Sequence, residues 1–116
     1  MTVLTDYRKA VVADVERVGL RVSLDPRALN PPCVLVGVPG LVTLGPGPCA
    51  VSITMPVYLV APPPGSGANI TYLTEHLLTL MDAIGAREAR AVELSVGDGQ
   101  VPAPAYQCDL VTALPT

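Results

Sequence analysis

His76 is the only histidine in the chain, and it is the first candidate for catalysis because imidazole titrates near neutral pH. A general base needs a nucleophile within hydrogen-bonding reach and usually a partner that orients it. Glu75 is adjacent, but Ser52, Ser66 and Ser95 lie in other segments, and the sequence contains no G-x-S-x-G motif. The sequence therefore favours a surface or interface position for His76, and we assign no catalytic residue.

Cys33, Cys49 and Cys108 are the candidates for metal or redox chemistry. Their number is odd, no C-x-x-C motif is present, and a single histidine cannot complete a metal-ligand set. Cys33 and Cys108 fall in predicted strands, where a thiol behaves as a small hydrophobic side chain. We therefore expect reduced thiols in the core, with no metal and no cofactor.

Residues 45–48 and 62–67 are two loops that combine proline and glycine, and glycine-containing loops can bind phosphate groups. A phosphate-binding loop would need the lysine and hydroxyl of a P-loop, or the G-x-G-x-x-G spacing after a strand. Neither loop has these features. The two segments are therefore interpreted as connections between elements of the scaffold.

The charge balance argues against direct binding of nucleic acid. The chain of 116 residues carries a net charge of −3, with seven basic residues, of which Lys9 is the only lysine. Nucleic-acid-binding proteins usually neutralise phosphates with a basic patch. We expect instead that DNA could pass an acidic or neutral surface without sticking to it.

The length predicts a single domain over residues 1–116. Half of the residues are hydrophobic, although phenylalanine and tryptophan are absent. Two interpretations remain open: a well-buried aliphatic core, or apolar surface that other subunits cover. A signal peptide is not expected, because charged residues occupy the N-terminal segment. A membrane span is not expected either, because prolines interrupt the apolar runs.

Apolar residues at helical spacing predict two amphipathic helices. The first stripe ends before Gly19, and the second ends before Gly85, where glycine suits the position after a helix. Leu78 lies about 110° from the centre of the second stripe at 3.6 residues per turn, which makes it a candidate for subunit contact. The stripes are Leu4, Tyr7, Val11, Val15 and Val18, then Ile70, Leu73, Leu77, Leu80, Met81 and Ile84.

The remaining apolar segments predict strands. Residues 20–24 suit a short strand, and the run 33–38 between prolines suits a buried one. Residues 49–61 alternate as the longest strand, in which Pro56 favours an edge position or a bulge. Residues 91–96 and 105–113 form a closing pair. This order predicts an α+β fold, with two helices packed on one face of a mainly antiparallel sheet.

Residues 25–39 read Asp-Pro-Arg-Ala-Leu-Asn-Pro-Pro-Cys-Val-Leu-Val-Gly-Val-Pro. They follow a helix that ends in Val18-Gly19, and they precede a long strand with Val57-Tyr58-Leu59-Val60, a proline/glycine loop, a leucine-rich helix and a hairpin. This layout resembles the tail terminator proteins of long-tailed bacteriophages, especially those that infect actinobacteria. The resemblance covers nearly the whole chain, and residues 25–39 are its most specific motif.

The resemblance implies a non-enzymatic protein of the virion tail neck, assembled in the host cytoplasm. Such proteins form a ring of six copies that caps the tail tube protein, ends tube growth and offers a docking surface to the head-tail connector protein. A compact chain of this length has a radius of gyration of about 13 Å. Treated as spheres, six copies leave a hole through which duplex DNA passes without specific binding.

Two groups of residues are candidates for contacts in such a ring. Candidates for contact between subunits are Asp25, Arg27, Leu29, Asn30 and Leu78, although Asp25 and Arg27 could equally form an exposed ion pair of little energetic value. Candidates for axial contacts are loop residues Gly45, Pro46, Gly47, Pro48, Pro63, Pro64, Gly65 and Ser66, since loops on a rigid scaffold often carry binding.

Two other functions stay open at this stage. One is a different neck or head-completion protein of the same virion. The other is a small ligand-binding α+β module, which would need a concave pocket with a few converging polar groups.

Overall fold

The computed structural model describes residues 3–24, 32–38, 40–44, 51–61, 67–94 and 103–114. Two helices and six strands lie in these ranges. In chain order they are α1 (Val3–Arg17), β1 (Val22–Ser23), β2 (Cys33–Val36), β3 (Leu41–Leu44), β4 (Val51–Val60), α2 (Gly67–Ile84), β5 (Ala89–Leu94) and β6 (Ala103–Leu114).

The six strands form one mixed sheet in the order β1-β2-β4-β6-β5, and β3 also pairs with β4. β1 and β2 are parallel, whereas every other pair is antiparallel. The longest ladder joins β4 to β6, from Val51 opposite Leu114 to Val60 opposite Ala105. The predicted α+β fold, with helices packed against a mainly antiparallel sheet, is confirmed.

Both helices cover the same face of the sheet, which we call the helix face. Val11 and Val15 of α1 and Leu73 and Leu80 of α2 are buried there against alternate residues of the strands. Those strand residues are Val34, Val36, Met55, Val57, Leu59, Cys108 and Leu110. Alternation of side chains along each strand therefore supplies one side of the main core, and the two predicted helical stripes supply most of the other side.

Glycine ends each helix as the sequence predicts. Gly19 and Gly85 have φ values of 84° and 75°, in the left-handed region that glycine adopts without a steric penalty. α1 itself ends at Arg17, so Val18 lies in the turn and is 39% exposed. The predicted stripe of α1 was wrong at this last position.

β4 occupies the centre of the sheet, so the predicted edge position for Pro56 was wrong. Proline is tolerated because the backbone of Pro56 faces away from β6, and its carbonyl accepts a hydrogen bond from the Gly37 N–H at 3.0 Å. On that side β2 has ended at Val36 and β3 has not yet begun. The missing N–H of Pro56 therefore lies opposite an interruption in the neighbouring strand.

β2 and β3 both pair with the same edge of β4, β2 along its second half and β3 along its first half. Val36 lies opposite Val57 and Leu41 opposite Thr54, so the chain has four residues between β2 and β3 where β4 has two. This arrangement resembles a β-bulge with two extra residues. The alternative that Pro56 marks a bulge is thus close to the structure, except that the extra residues belong to the partner strand.

Strand bounds differ from the predicted ones by a few residues. β2 is fully buried but ends at Val36, and Val38 beyond it is 63% exposed. The last two strands are β5 and β6, each of which begins two residues before its predicted start. β3 was not predicted as a strand at all. Neither described helix is long and apolar enough to cross a membrane.

Candidate functional site

The described residues hold two thiols and one histidine, and none of the three lies in a metal-binding cluster. No group of three or more histidine, cysteine, aspartate or glutamate residues converges in the described ranges. Cys33 and Cys108 are buried, reduced thiols, as the sequence predicts, whereas Cys49 lies outside those ranges. His76 is half-buried on α2, and its ring centroid lies 4.5 Å from that of Tyr72. Burial raises the pKa of Tyr72.

Burial also raises the pKa of the Cys108 thiol to about 11, and the neighbouring Asp109 carboxylate acts in the same direction. The side chain of Cys108 packs in the main core under the helices. A thiol that stays protonated is a poor nucleophile and a poor metal ligand. Cys108 therefore acts as a packing residue at neutral pH.

The raised pKa of Cys108 predicts a loss of stability in alkali. The ordinary pKa of a cysteine thiol is 9.0, so between pH 9 and about pH 11 Cys108 keeps its proton in the folded chain and loses it in the unfolded chain. The free energy of unfolding is therefore unaffected by Cys108 below pH 9, and we expect it to fall by about 1 kcal/mol between pH 8 and pH 10. Urea unfolding at the two pH values measures this, and Cys108→Ala is the control because it keeps every tyrosine. An equal fall in the control would contradict the assignment.

Of the residues predicted to form contacts between subunits, the described ranges include Leu78 alone. Leu78 lies on the outer side of α2 and is 74% exposed, as predicted. Its helical neighbours Thr74, Glu75 and Asp82 are exposed too, so Leu78 is a single leucine on a polar surface. Asp25, Arg27, Leu29 and Asn30 lie outside the described residues. So do the predicted axial contacts Gly45, Pro46, Gly47, Pro48, Pro63, Pro64, Gly65 and Ser66.

Half of the exposed large apolar side chains of the described residues lie instead at one end of the sheet, a feature that sequence reasoning missed. Leu41, Val42 and Leu44 of β3 are 62%, 44% and 78% exposed, and Val111 of β6 is 71% exposed. We call residues 41–44, 51–54 and 111–114 the open end. The run Leu-Val-Thr-Leu after Gly40 was the available signal, since β-branched and aliphatic residues between glycines favour a strand.

Both edges of the open end lack a neighbouring strand in the part of the chain that the structure describes. β1 covers β2 but does not extend to β3, and β5 pairs with β6 only as far as Cys108. At this end the sheet has three strands, in the order β3-β4-β6. An exposed strand edge presents unpaired N–H and C=O groups and is a template for further pairing.

The face of the sheet opposite the helices, which we call the far face, carries a second apolar cluster and a groove. Cys33, Val60, Ala103 and Ala105 are buried in the cluster, with Tyr58, Val92 and Leu94 packed against them. The groove beside it has a volume of about 430 Å³ and is lined mainly by Leu24, Leu35, Val38, Pro56, Tyr58 and Leu94.

Arg8 is the charged residue that lines this groove, and its guanidinium is already engaged. The Nε of Arg8 donates to the Gly37 carbonyl at 2.8 Å, and Nη2 donates to the Val36 carbonyl at 2.9 Å. These bonds tie α1 to the end of β2 and satisfy two carbonyls there. Arg8 therefore serves the junction between β2 and β3 more directly than it serves the groove.

No protein-family model matches the chain, and no curated protein matches it either.

Proposed function

We propose that the protein is a non-enzymatic structural subunit of a bacteriophage tail neck. In this role copies form a ring, most simply of six, that caps the tail tube, ends its growth and offers a docking surface to the head-side connector. The observation that carries the proposal is the open end, where four exposed aliphatic side chains flank two strand edges that pair with no other described strand. The resemblance of the sequence to tail terminator proteins, which is most specific at residues 25–39, is the reason for proposing a ring at the end of a tail tube.

A ring places specific demands on its subunit. Each copy must carry two different surfaces that fit each other, because head-to-tail contacts close into a ring whereas a single self-complementary surface gives a dimer. The two edges of the open end, β3 and β6, meet this demand. Leu78 remains a candidate for a further contact from α2.

The dimensions of the chain suit a channel for DNA. The subunit measures 48 × 29 × 22 Å, so it is more elongated than the sphere assumed from its length. Six touching circles enclose a hole as wide as one circle, so six copies with their long axes along the channel leave a hole of 22 to 29 Å. A net charge of −3 favours passage of DNA over binding to it.

The two predicted contact loops adjoin opposite ends of β4 in sequence. Residues 45–50 lead into β4 at Val51, and residues 62–66 follow it beyond Val60. Ten residues of strand span about 33 Å. If β4 runs along the channel, one of its ends faces the tail tube and the other faces the connector, which is the arrangement that a capping ring needs.

Removal of this chain from the virus that encodes it tests the proposal. We expect tails of irregular, excessive length without heads, because nothing ends growth of the tube or binds the connector. Electron micrographs measure tail length and head attachment in the same particles. Tails of normal length joined to heads would contradict the proposal. Tails of normal length without heads would favour a different neck or head-completion protein.

Deletions of the two loops test whether capping of the tube and attachment of the head depend on different segments. We expect loss of residues 45–48 and loss of residues 63–66 to produce different defects, one in tail length and one in head attachment. A chain in which Asp82 is replaced by alanine is the control, since Asp82 is exposed on α2 and far in sequence from both loops. Identical, normal particles from both deletions would remove the loops from the axial contacts.

The far-face groove favours one other function, a ligand-binding module. Its volume of about 430 Å³ lies within the range of small-molecule sites, and its lining is mainly apolar. Against this, its one arginine is bonded to two carbonyls. A monomer whose melting temperature rises with a small apolar ligand, and stops doing so in Tyr58→Ala, would support the module over the ring.

A further inference from the structure

The directions of the backbone groups at the open end follow from two hydrogen bonds. The carbonyls of Thr54 and Pro56 accept bonds from the N–H groups of Gly40 and Gly37. Even-numbered residues of β4 therefore direct their backbone groups towards β2 and β3, and odd-numbered residues direct theirs towards β6, because these directions alternate along a strand.

The same alternation identifies which backbone groups of the edge strands point away from β4. Leu41 and Thr43 lie opposite Thr54 and Ser52, so their backbone groups bond to β4. Val42 and Leu44 then direct their N–H and C=O groups outward. On the other edge the backbone groups of Thr112 and Leu114, opposite Ile53 and Val51, point to β4. Those of Val111 and Ala113 consequently point outward.

We propose that these two edges pair with each other between copies of this chain: β3 of one copy adds to residues 111–114 of β6 in the next. This inference deepens the proposed ring and rests on it for the number of copies. The pairing is parallel, because β3 and β6 are both antiparallel to β4 and therefore run in the same direction.

Side-chain positions fit such a pairing. Leu41 lies opposite Thr54, which lies opposite Val111, so Leu41 and Val111 share the far face. A parallel ladder that places Val111 beside Leu41 or Thr43 keeps the two faces continuous between copies, whereas a shift of one residue would exchange them. Pairing covers Leu41 and Val111, which are otherwise 62% and 71% exposed.

The chemistry of the edges favours a second copy over an unrelated partner. Proteins usually protect exposed strand edges with lysine, other charged residues or proline. Residues 41–44 and 111–114 contain no charged residue and no proline. The two edges belong to the same chain and lie on opposite sides of the same three strands. Each copy therefore provides what the next copy lacks.

Disulfide trapping between two singly substituted chains tests the pairing. Both chains carry Cys49→Ser, while Cys33 and Cys108 stay because they are buried. One chain also carries Leu41→Cys or Thr43→Cys, which covers the two allowed registers, and the other carries Val111→Cys. We expect oxidation of the mixture to yield covalent dimers of one chain of each kind. Thr79→Cys, on the exposed side of α2, replaces the β3 cysteine in the control mixture and should yield none.

A third substitution separates pairing from mere proximity. Val42→Pro removes an outward N–H group but no bond to β4, so the chain should stay folded and lose the cross-link at least tenfold. Circular dichroism and urea unfolding confirm the fold. Proline at Thr43, in contrast, removes a bond to β4 and should lower stability.

Each outcome decides between specific arrangements. Efficient cross-linking of Leu41→Cys or Thr43→Cys chains to themselves would mean two-fold pairing of β3 with β3, and it would overturn the inference. Light scattering that shows rings in the Val42→Pro chain would overturn it as well, yet leave the proposed ring intact. Wild-type chains that remain monomeric at every concentration and give no cross-link in the mixture would overturn the pairing. Particles with normal tails after removal of the chain would overturn the proposed function alone.

Discussion

Leu80→Ala is expected to lower the free energy of unfolding by about 2 to 5 kcal/mol. Leu80 has no exposed surface and joins α2 to the main core on the helix face of the sheet. Alanine would leave a cavity between the helix and the central strands. Urea unfolding at neutral pH measures the change, provided that the transition has a single step.

Leu78→Ala is the matched control, because it is the same substitution two residues away on the same helix. Leu78 is 74% exposed, so the free energy of unfolding should change by no more than about 0.5 kcal/mol. Equal losses for the two variants would mean that α2 packs differently from the structure. A neutral Leu78→Ala that nevertheless weakens the assembled ring would support Leu78 as a subunit contact.

These two leucines show what the sequence predicts well. The stripe on α2 separates Leu80 from Leu78 because helical periodicity is a local property that neighbouring residues reveal. The end of each helix was equally predictable, since Gly19 and Gly85 adopt the backbone conformation that few other residues tolerate. Local rules therefore predicted the helices and most strands of the α+β fold.

Strand order depends on contacts between distant residues, and here local rules were insufficient. Pro56 argued for an edge strand because proline cannot donate to a ladder. The rule holds at the level of single residues. The N–H is missing opposite the gap between β2 and β3, while residues 51–54 and 57–60 of β4 pair on both sides. Only the pairing partners distinguish an edge strand from a central strand beside an interruption.

The open end was missed for a related reason. β3 has four residues, all exposed, so it lacks the alternation between buried and exposed positions that identifies a half-buried strand. No other described residue of the same copy buries its leucines and valine. The candidate contacts predicted from the sequence were mainly loop residues and one helical leucine. In the described structure, the exposed apolar residues at the edges of β3 and β6 are the stronger candidates.

The junction between β2 and β3 decides where the β3 edge lies, and Gly37 is its most constrained residue. A Cβ atom at Gly37 would lie 2.9 Å from the Cγ of Pro56 and 2.9 Å from its carbonyl oxygen. That oxygen also accepts the hydrogen bond from the Gly37 N–H, so it cannot retreat without weakening the bond. The proline ring is stiff, and Arg8 holds the Gly37 carbonyl from the other side.

Gly37→Ala should therefore lower the free energy of unfolding by about 1 to 3 kcal/mol, the usual effect of an overpacked site. Gly40→Ala is the matched control in the same connection. Its Cβ would lie 3.8 Å from the nearest atom, the Thr54 carbonyl oxygen, which is an ordinary contact. Thermal and urea unfolding of the two variants measure the difference. Similar stabilities of Gly37→Ala and Gly40→Ala would show that the junction can accommodate a methyl group at Gly37 and does not fix the position of β3.

The same pair of variants connects the junction to assembly. If Gly37→Ala moves β3 away from its place beside β4, its edge no longer matches the outer edge of β6 in the next copy. We expect Gly37→Ala to reduce cross-linking between Leu41→Cys and Val111→Cys chains even where the protein is still folded, and Gly40→Ala to leave it unchanged. A folded Gly37→Ala chain that cross-links fully would mean that the edge tolerates displacement, so that the apolar side chains beside it, and not the backbone register, hold the copies together.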